Sequence, residues 1–243
     1  MNLKESLSGG YAGLYGEVVE TDVYEMRDVE DIVSINDPLF IHVKGHKRGF
    51  DFIPDVIFDL GANVGIFTRY CHDLFPDAKI IAVEPHPENF KYLPTDLAIC
   101  INKGIGAGRL WRGTGAVNGS GESYVSNVTG FDEIMRSDSH IPVSIESITL
   151  KKLFDEFVLP GHKVIVKMDI EGGENALFED EESVKCLLNA DYVAMEIHNY
   201  ALSGKDVPAV EKLTSSILER FEKTHDCKLN HIYFYARRNS DKA

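Results

Sequence analysis

Short runs of apolar residues alternate with helix-length amphipathic segments from residue 55 to the end of the chain. Continuous apolar runs of this length are typical of parallel strands that are buried on both faces. The runs that predict strands are residues 56–58, 79–83, 97–101, 163–168, 192–197 and 232–236. The segments that predict helices are residues 66–74, 87–93, 150–157, 175–188 and 207–221. The pattern therefore predicts an α/β fold, with a mostly parallel sheet covered by helices on both faces.

Two regions depart from this alternation. Near the N-terminus, apolar residues at helical spacing over 23–33 predict a short amphipathic helix, and residues 38–43 could form a strand. Residues 104–130 are rich in Gly, Ser, Thr and Asn, which predicts an antiparallel hairpin or loop insertion, and the alternation over 143–148 predicts a further strand. We therefore divide the chain into an N-terminal extension, residues 1–50, and a single domain, residues 51–243.

Charge and composition narrow the class of protein. The 243 residues include 25 Lys and Arg against 39 Asp and Glu, a formal net charge of −14, which argues against a nucleic-acid partner. The four cysteines are widely spaced and form no C-x-x-C motif, as expected for reduced thiols in a cytoplasmic protein. We expect neither a signal peptide nor a membrane span, because no apolar run approaches the required length of about 18 residues.

Polar residues follow the predicted strands at the points where the strands end. Because the carboxyl ends of parallel strands meet at one edge of a sheet, these side chains are expected along the ligand-binding edge. The residues are Asp59, Glu84, Asn102, Lys103, Asp169, Glu196 and His198.

The first strand-to-helix turn carries two glycines, Gly61 and Gly65, where the chain must turn sharply and a ligand can approach the backbone. The dinucleotide fingerprint G-x-G-x-x-G is not met, because Asn63 and Ile66 stand at its second and third glycine positions. This departure argues against a nicotinamide-dependent oxidoreductase, which remains an alternative.

Two acidic residues favour a cationic cofactor. Asp59, just before the turn, would repel a pyrophosphate but suits the ammonium and sulfonium of S-adenosylmethionine. Glu84, at the end of the next strand, can accept hydrogen bonds from two ribose hydroxyls. The two carboxylates and the glycine turn together predict a cofactor site.

Three stretches resemble the FkbM family of S-adenosylmethionine-dependent methyltransferases. They are VIFDLGANVG at 56–65, VEPHP at 83–87 and VKMDIEGGE at 166–174, within a likeness that covers roughly residues 55–200. The resemblance implies a class I methyltransferase, a Rossmann-like three-layer sandwich with a seven-stranded sheet whose last strand is antiparallel. It also implies O-methylation of a hydroxyl on a sugar, a glycan or a small metabolite.

The family resemblance also implies roles for individual residues. Asp59, Gly61, Asn63 and Gly65 would line the methionine end of S-adenosylmethionine, and Glu84 would hold its ribose. Asn102, Lys103 and Gly104 would lie beside the adenine, and Asp169 would sit by the methyl group. Family members usually carry Asp after Thr-Leu in the segment before the fourth strand, whereas this chain has Lys151.

A hydroxyl acceptor needs a proton acceptor, and Asp169 and His198 are the candidates for that catalytic role. Asp169 could instead cap the following helix or orient the cofactor amine, and His198 could be a structural imidazole. Both residues could converge with Glu196 on a divalent cation, but they offer few oxygen ligands, so we expect no metal. A non-catalytic cofactor-binding module is the second alternative to an enzyme.

Overall fold

The computed structural model describes residues 15, 18–19, 22–29, 47–106, 109–113, 123–126, 140–143, 146–170, 173–197, 207–230 and 232–242. Its strands are β1 (Val56–Leu60), β2 (Lys79–Val83), β3 (Ile99–Ile101), β4 (Gly104–Ile105), β5 (Arg109–Gly113), β6 (Ser123–Ser126), β7 (His140–Val143), β8 (Ser147–Ile148), β9 (Val164–Met168), β10 (Tyr192–Glu196), β11 (His225–Asn230) and β12 (Tyr233–Arg238). Its helices are α1 (Ile66–Leu74), α2 (Pro87–Phe90), α3 (Leu150–Phe157), α4 (Glu174–Glu179), α5 (Glu181–Asn189) and α6 (Val207–Glu222).

Seven of these strands form one sheet in the order β11-β12-β10-β9-β1-β2-β3. The pairings among β10, β9, β1, β2 and β3 are all parallel, whereas β12 runs antiparallel to both β10 and β11. The strand order reverses at β1, from which the chain moves first outward to β3 and then back to β9. This arrangement confirms the predicted mostly parallel sheet with an antiparallel last strand.

The central strands are buried on both faces, so consecutive residues contribute to different cores. Phe58 and Val166 belong to the core that α3, α4, α5 and α6 cover. Ile57 and Ile165 belong to the opposite core, which is covered by α1 and by residues of the N-terminal segment, among them Met26. The three layers of the predicted sandwich are therefore helices, sheet, and a second layer that includes α1 and residues of the N-terminal segment.

The helix predicted over residues 23–33 is wrong for the described part, residues 22–29, which form turns and a single bridge. The Asp22 carboxylate accepts hydrogen bonds from the backbone N–H groups of Met26, at 3.0 Å, and Arg27, at 2.9 Å. A short acidic side chain that satisfies nearby backbone donors in this way competes with helix formation. The strand predicted at residues 38–43 lies outside the described residues.

Within the predicted insertion, residues 104–130, β5 pairs antiparallel with β6, and β7, which follows the insertion, pairs antiparallel with β5 as well. The predicted hairpin is thus confirmed, but the single strand expected over 143–148 is not, because β7 ends at Val143 and the separate β8 pairs with β4. The helix predicted over 175–188 is two helices. Asp180 adopts an extended backbone between them, and its carboxylate caps α5 by accepting from Glu182 N and Ser183 Oγ.

Candidate functional site

The turn between β1 and α1 has an unusual backbone that only particular residues allow. Gly61, Asn63 and Gly65 all have positive φ angles, of 78°, 51° and 80°. A Cβ atom on Gly61 would stand 1.7 Å from the backbone carbonyl oxygen of Asp169, at the end of β9. Glycine at position 61 is therefore required by the neighbouring strand, and it brings the turn directly against Asp169.

Glu84 follows β2 and closes over the same turn. Its Oε2 accepts a 2.7 Å hydrogen bond from the backbone N–H of Asn63, and its Oε1 accepts a 2.8 Å bond from that of His86. The residue is only 4% exposed. Burial raises the pKa of Glu84 to about 7, even though both backbone hydrogen bonds lower it.

Two asparagines contact Glu84, Asn102 through its side-chain amide and Asn63 through its backbone N–H. Asn102 donates from Nδ2 to the backbone carbonyls of Glu84, at 2.8 Å, and Pro85, at 3.2 Å, and so ties the end of β3 to the end of β2. Asn63 has a buried Oδ1 that accepts no hydrogen bond from any residue the structure describes. A buried amide oxygen without a donor is expected to be satisfied by a bound molecule.

Asp59 is fully buried within β1 and has partners inside the fold. Its Oδ2 accepts a 2.6 Å hydrogen bond from Thr68 Oγ1, and its Oδ1 lies 3.3 Å from Lys167 Nζ. The carboxylate therefore neutralises a buried lysine, which the sequence analysis did not foresee. The contact of Asp59 with the methionine end of the cofactor stays a prediction.

Lys167, on β9, is one residue at this edge that the sequence analysis missed. Its ammonium donates a 2.8 Å hydrogen bond to the carbonyl of Gly61 and lies 3.9 Å from Asp169 Oδ2. Burial lowers the pKa of Lys167, but the carboxylates of Asp59 and Asp169 outweigh it and hold the pKa above its ordinary value. The signal in the sequence was a charged residue inside the apolar run VIVKM.

Asp169 stands at the carboxyl end of β9, where its backbone N–H donates to the carbonyl of Leu60 at 3.0 Å. Its Oδ2 accepts a 3.2 Å hydrogen bond from the hydroxyl of Tyr24, a residue of the N-terminal segment. The side chain is 23% exposed. Asp169 is thus held from within the protein while part of its carboxylate remains open to solvent.

The remaining predicted site residues are Lys103, Gly104 and His198. Lys103 forms a 2.9 Å ion pair with Glu146, and the backbone N–H of Gly104 donates to the carbonyl of the same glutamate. The structure therefore engages both residues with the segment before β8, and their contact with adenine stays a prediction. His198 lies outside the described residues.

The described part of the chain also bears on metal binding and membrane insertion. Among those residues, no group of three or more His, Cys, Asp or Glu side chains could hold a metal ion. No helix in that part combines the length and the apolar character that crossing a membrane requires.

The groups at this edge match the chemistry of S-adenosylmethionine. The Glu84 oxygens each accept one backbone hydrogen bond and keep a second acceptor position, which suits ribose hydroxyls. The buried Asn63 Oδ1 suits a donor, and the Asp169 carboxylate suits a cationic centre. The residues that are present therefore fit the cofactor.

The sheet order, the reversal at β1 and the turn after it define a class I methyltransferase fold. A model of the Methyltransferase FkbM domain matches residues 59–224, more than half of the chain. The chain belongs to the FkbM methyltransferase family. This membership confirms the predicted family, and the cofactor of the family is S-adenosylmethionine.

Several solved structures of methyltransferases match this chain at low sequence identity. Methyltransferase FkbM from Methylobacillus flagellatus KT is 17% identical with a TM-score of 0.44, and the match covers 77% of this chain and 44% of that one. Human N-acetylserotonin methyltransferase in complex with SAM is 10% identical with a TM-score of 0.38, over 95% and 55% of the two chains. Precorrin-6y C5,15-methyltransferase from Geobacter metallireducens GS-15 is 12% identical with a TM-score of 0.37, over 79% and 84%.

The chain spans less than half the length of the Methylobacillus methyltransferase. A search of curated protein sequences finds no significant match.

Proposed function

We propose that the protein transfers the methyl group of S-adenosylmethionine to a hydroxyl oxygen of a sugar, a glycan or a small metabolite. The main observation behind the proposal is that Glu84, the Asn63 turn and Asp169 lie together at one sheet edge. All three belong to the segment that matches the FkbM family. The net charge of −14 supports a small-molecule or glycan acceptor over a nucleic acid.

In this proposal, Glu84 binds the ribose and the turn of Asp59, Gly61, Asn63 and Gly65 surrounds the methionine end. Asn102, Lys103 and Gly104 form the adenine side. The bound cofactor supplies an electrophilic methyl group. The protein aligns the acceptor and excludes water, and these two effects account for most of the rate acceleration in such a displacement.

The acceptor hydroxyl must lose its proton as its oxygen gains the methyl carbon. Asp169 and His198 are the proposed proton acceptors, because both follow strands that end at the cofactor edge. Asp169 is held by Tyr24 and faced by Lys167, an arrangement equally suited to a carboxylate that attracts the cationic cofactor. A proton acceptor and a carboxylate that attracts the cofactor predict different behaviour of the Asp169→Asn variant.

Cofactor choice is tested first, by thermal unfolding with S-adenosylhomocysteine and, in parallel, with NAD. A ligand at a hundred times its Kd stabilises the folded state by about 2.7 kcal/mol, a shift that is easily measured. We expect stabilisation by S-adenosylhomocysteine alone. Stabilisation by NAD alone would favour the oxidoreductase alternative and overturn the proposal.

The acceptor is tested by incubating the protein with labelled S-adenosylmethionine and a panel of hydroxyl compounds. Label that survives mild alkali indicates a methyl ether, whereas label released as methanol indicates an ester. Cofactor binding without transfer to any compound would favour the non-catalytic alternative.

Asp169→Asn and His198→Ala then separate the proposed bases. A lost base should lower kcat by about 10²–10⁴ with little change in cofactor Kd. If Asp169 orients the cofactor instead, affinity and turnover should fall together. Wild-type turnover in both variants would show that neither side chain is the base.

A further inference from the structure

The N-terminal segment reaches the candidate active site through the side chain of Tyr24. Tyr24 is almost fully buried, packs edge-on against Phe67 of α1 at 5.2 Å between ring centroids, and has Lys167 Nζ 5.4 Å from its ring. Its hydroxyl donates to Asp169 Oδ2 at 3.2 Å. Tyr24 therefore contacts both charged groups at the end of β9.

The turn that carries Tyr24 is fixed on several sides. Its first residue, Asp22, accepts from two backbone N–H groups of the turn and from the hydroxyl of Tyr70 on α1. The carbonyl of Val23 accepts a 2.6 Å hydrogen bond from Tyr235 of β12, and the carbonyl of Tyr24 accepts one of 3.1 Å from Tyr192 of β10. The backbone at position 24 is thus locked to the sheet and to α1.

The tyrosine hydroxyls in this cluster have different partners. A buried tyrosine hydroxyl needs a hydrogen-bond partner, and backbone carbonyls serve Tyr192 and Tyr235. Tyr24 instead donates to a partly exposed carboxylate at the edge of the sheet where this fold binds its ligand. Tyr24 therefore binds Oδ2, one of the two carboxylate oxygens of Asp169, and not Oδ1.

We propose that Tyr24 is a positioning residue of the active site, which orients the Asp169 carboxylate toward the methyl position of the cofactor. The inference rests on the proposed function, because it takes Asp169 to lie beside the transferred methyl group. It makes the N-terminal segment part of the methyltransferase site, although the family match begins only at residue 59.

Sinefungin provides a probe of this position that needs no acceptor. It is an S-adenosylmethionine analogue with an amine in place of the methylated sulfonium, so its ammonium reports on a carboxylate there. The measurement is the ratio of the Kd of S-adenosylhomocysteine to that of sinefungin, by calorimetry. The wild-type protein should bind sinefungin more tightly. Equal affinities would overturn the inference, whereas binding of neither ligand would overturn the proposed function itself.

The variant is Tyr24→Phe, which removes the hydroxyl and keeps the ring. The ratio should fall by about 3- to 10-fold, the range for an ordinary net hydrogen bond, because the hydroxyl acts on the ligand only through Asp169. Tyr235→Phe is the matched control, because it removes a buried hydroxyl that holds the same turn but does not touch Asp169. It should leave the ratio unchanged. An unchanged ratio in Tyr24→Phe, or an equal fall in both variants, would reduce Tyr24 to a structural role.

A double-variant cycle covers the case in which loss of the hydroxyl loosens the fold. In an Asp169→Asn background, Tyr24→Phe should cause no further change in the ratio, because its target is already altered. Additive effects of the two substitutions would overturn the inference.

Discussion

The ammonium of Lys167 lies 3.3 Å from Oδ1 of Asp59, and both side chains are buried at the edge of the sheet. Each charged group also has a second partner. The Asp59 carboxylate accepts a hydrogen bond from the hydroxyl of Thr68, and the Lys167 ammonium donates one to the carbonyl of Gly61. The pair therefore links the interior of β1 to the turn that follows it. Isolated charges in such a place are costly, because water cannot solvate them.

Removing the cation should destabilise the protein strongly. Lys167→Met leaves the Asp59 carboxylate buried without its counter-charge, and the expected loss is about 3–5 kcal/mol in the free energy of unfolding. Urea denaturation measures this value. Asp59→Asn combined with Lys167→Met should recover part of the loss, because no uncompensated charge remains.

The control for this pair is Lys185→Met, which breaks an exposed ion pair with Glu182 within α5. Exposed pairs contribute little to stability, so the urea midpoint should barely move. Equal losses in Lys167→Met and Lys185→Met would show that burial of the Lys167 pair has no energetic importance.

Gly61 should tolerate no side chain, because Asp169 fills the space beside it. Gly61→Ala combines a left-handed backbone with a steric clash, and we expect it to cost roughly 2–5 kcal/mol in the free energy of unfolding. Gly161 separates the two effects, since its φ is +88° but a Cβ there meets nothing within 4 Å. Gly161→Ala should cost only about 1–2 kcal/mol. Equal losses would show that the contact with Asp169 is irrelevant.

Cofactor affinity should depend on pH through Glu84. The ionised carboxylate accepts hydrogen bonds from ribose hydroxyls better than the protonated form does, and its pKa in the free protein is about 7. Affinity for S-adenosylhomocysteine should therefore weaken about tenfold between pH 8 and pH 6. Calorimetry on the wild type and on Glu84→Gln measures this difference, and parallel profiles would contradict the assignment.

The same residue should make stability depend on pH in the opposite sense. The pKa of Glu84 is raised on folding from 4.5 to about 7, so its contribution to stability is fully present below pH 4.5 and lost as the pH rises through 7. Relative to Glu84→Gln, the wild type should lose about 2–3 kcal/mol between pH 5 and pH 8. Denaturation of both proteins without ligand tests this, and a relative gain for the wild type would show that the sign is wrong.

Most of the sheet could be predicted from the sequence, because its central strands are apolar runs with clear boundaries. The bounds of α1 and β2 match the prediction because Gly65 directly precedes α1 and a Pro-Asp pair separates α1 from β2. Strand β11 was missed, since its mixed sequence HDCKLN lies at an exposed edge and shows no apolar run. The helix predicted near residue 23 failed for a different reason, because one buried aspartate reorganised the local backbone.

From the sequence, the site could be predicted only as a set of polar residues that follow the ends of strands. The sequence pattern brought Glu84, Asn102 and Asp169 to one edge, and the structure places Glu84 against the Asn63 turn and Asp169 against Gly61. It could not show that Asp59 is neutralised by Lys167 or that Tyr24 reaches Asp169, because those pairings join distant segments. Long-range pairings of this kind depend on how the layers pack, and no local pattern encodes them.

The anchoring of the Tyr24 turn has a consequence for the order in which the chain folds. Tyr24 and Asp169 are separated by 145 residues, and Val23 and Tyr235 by 212. During synthesis the turn leaves the ribosome early, yet its partners on β9, β10 and β12 follow much later. Contacts across such distances form slowly, because a long loop must close first. The contacts that hold the Tyr24 turn can therefore be completed only after β12 has been synthesised.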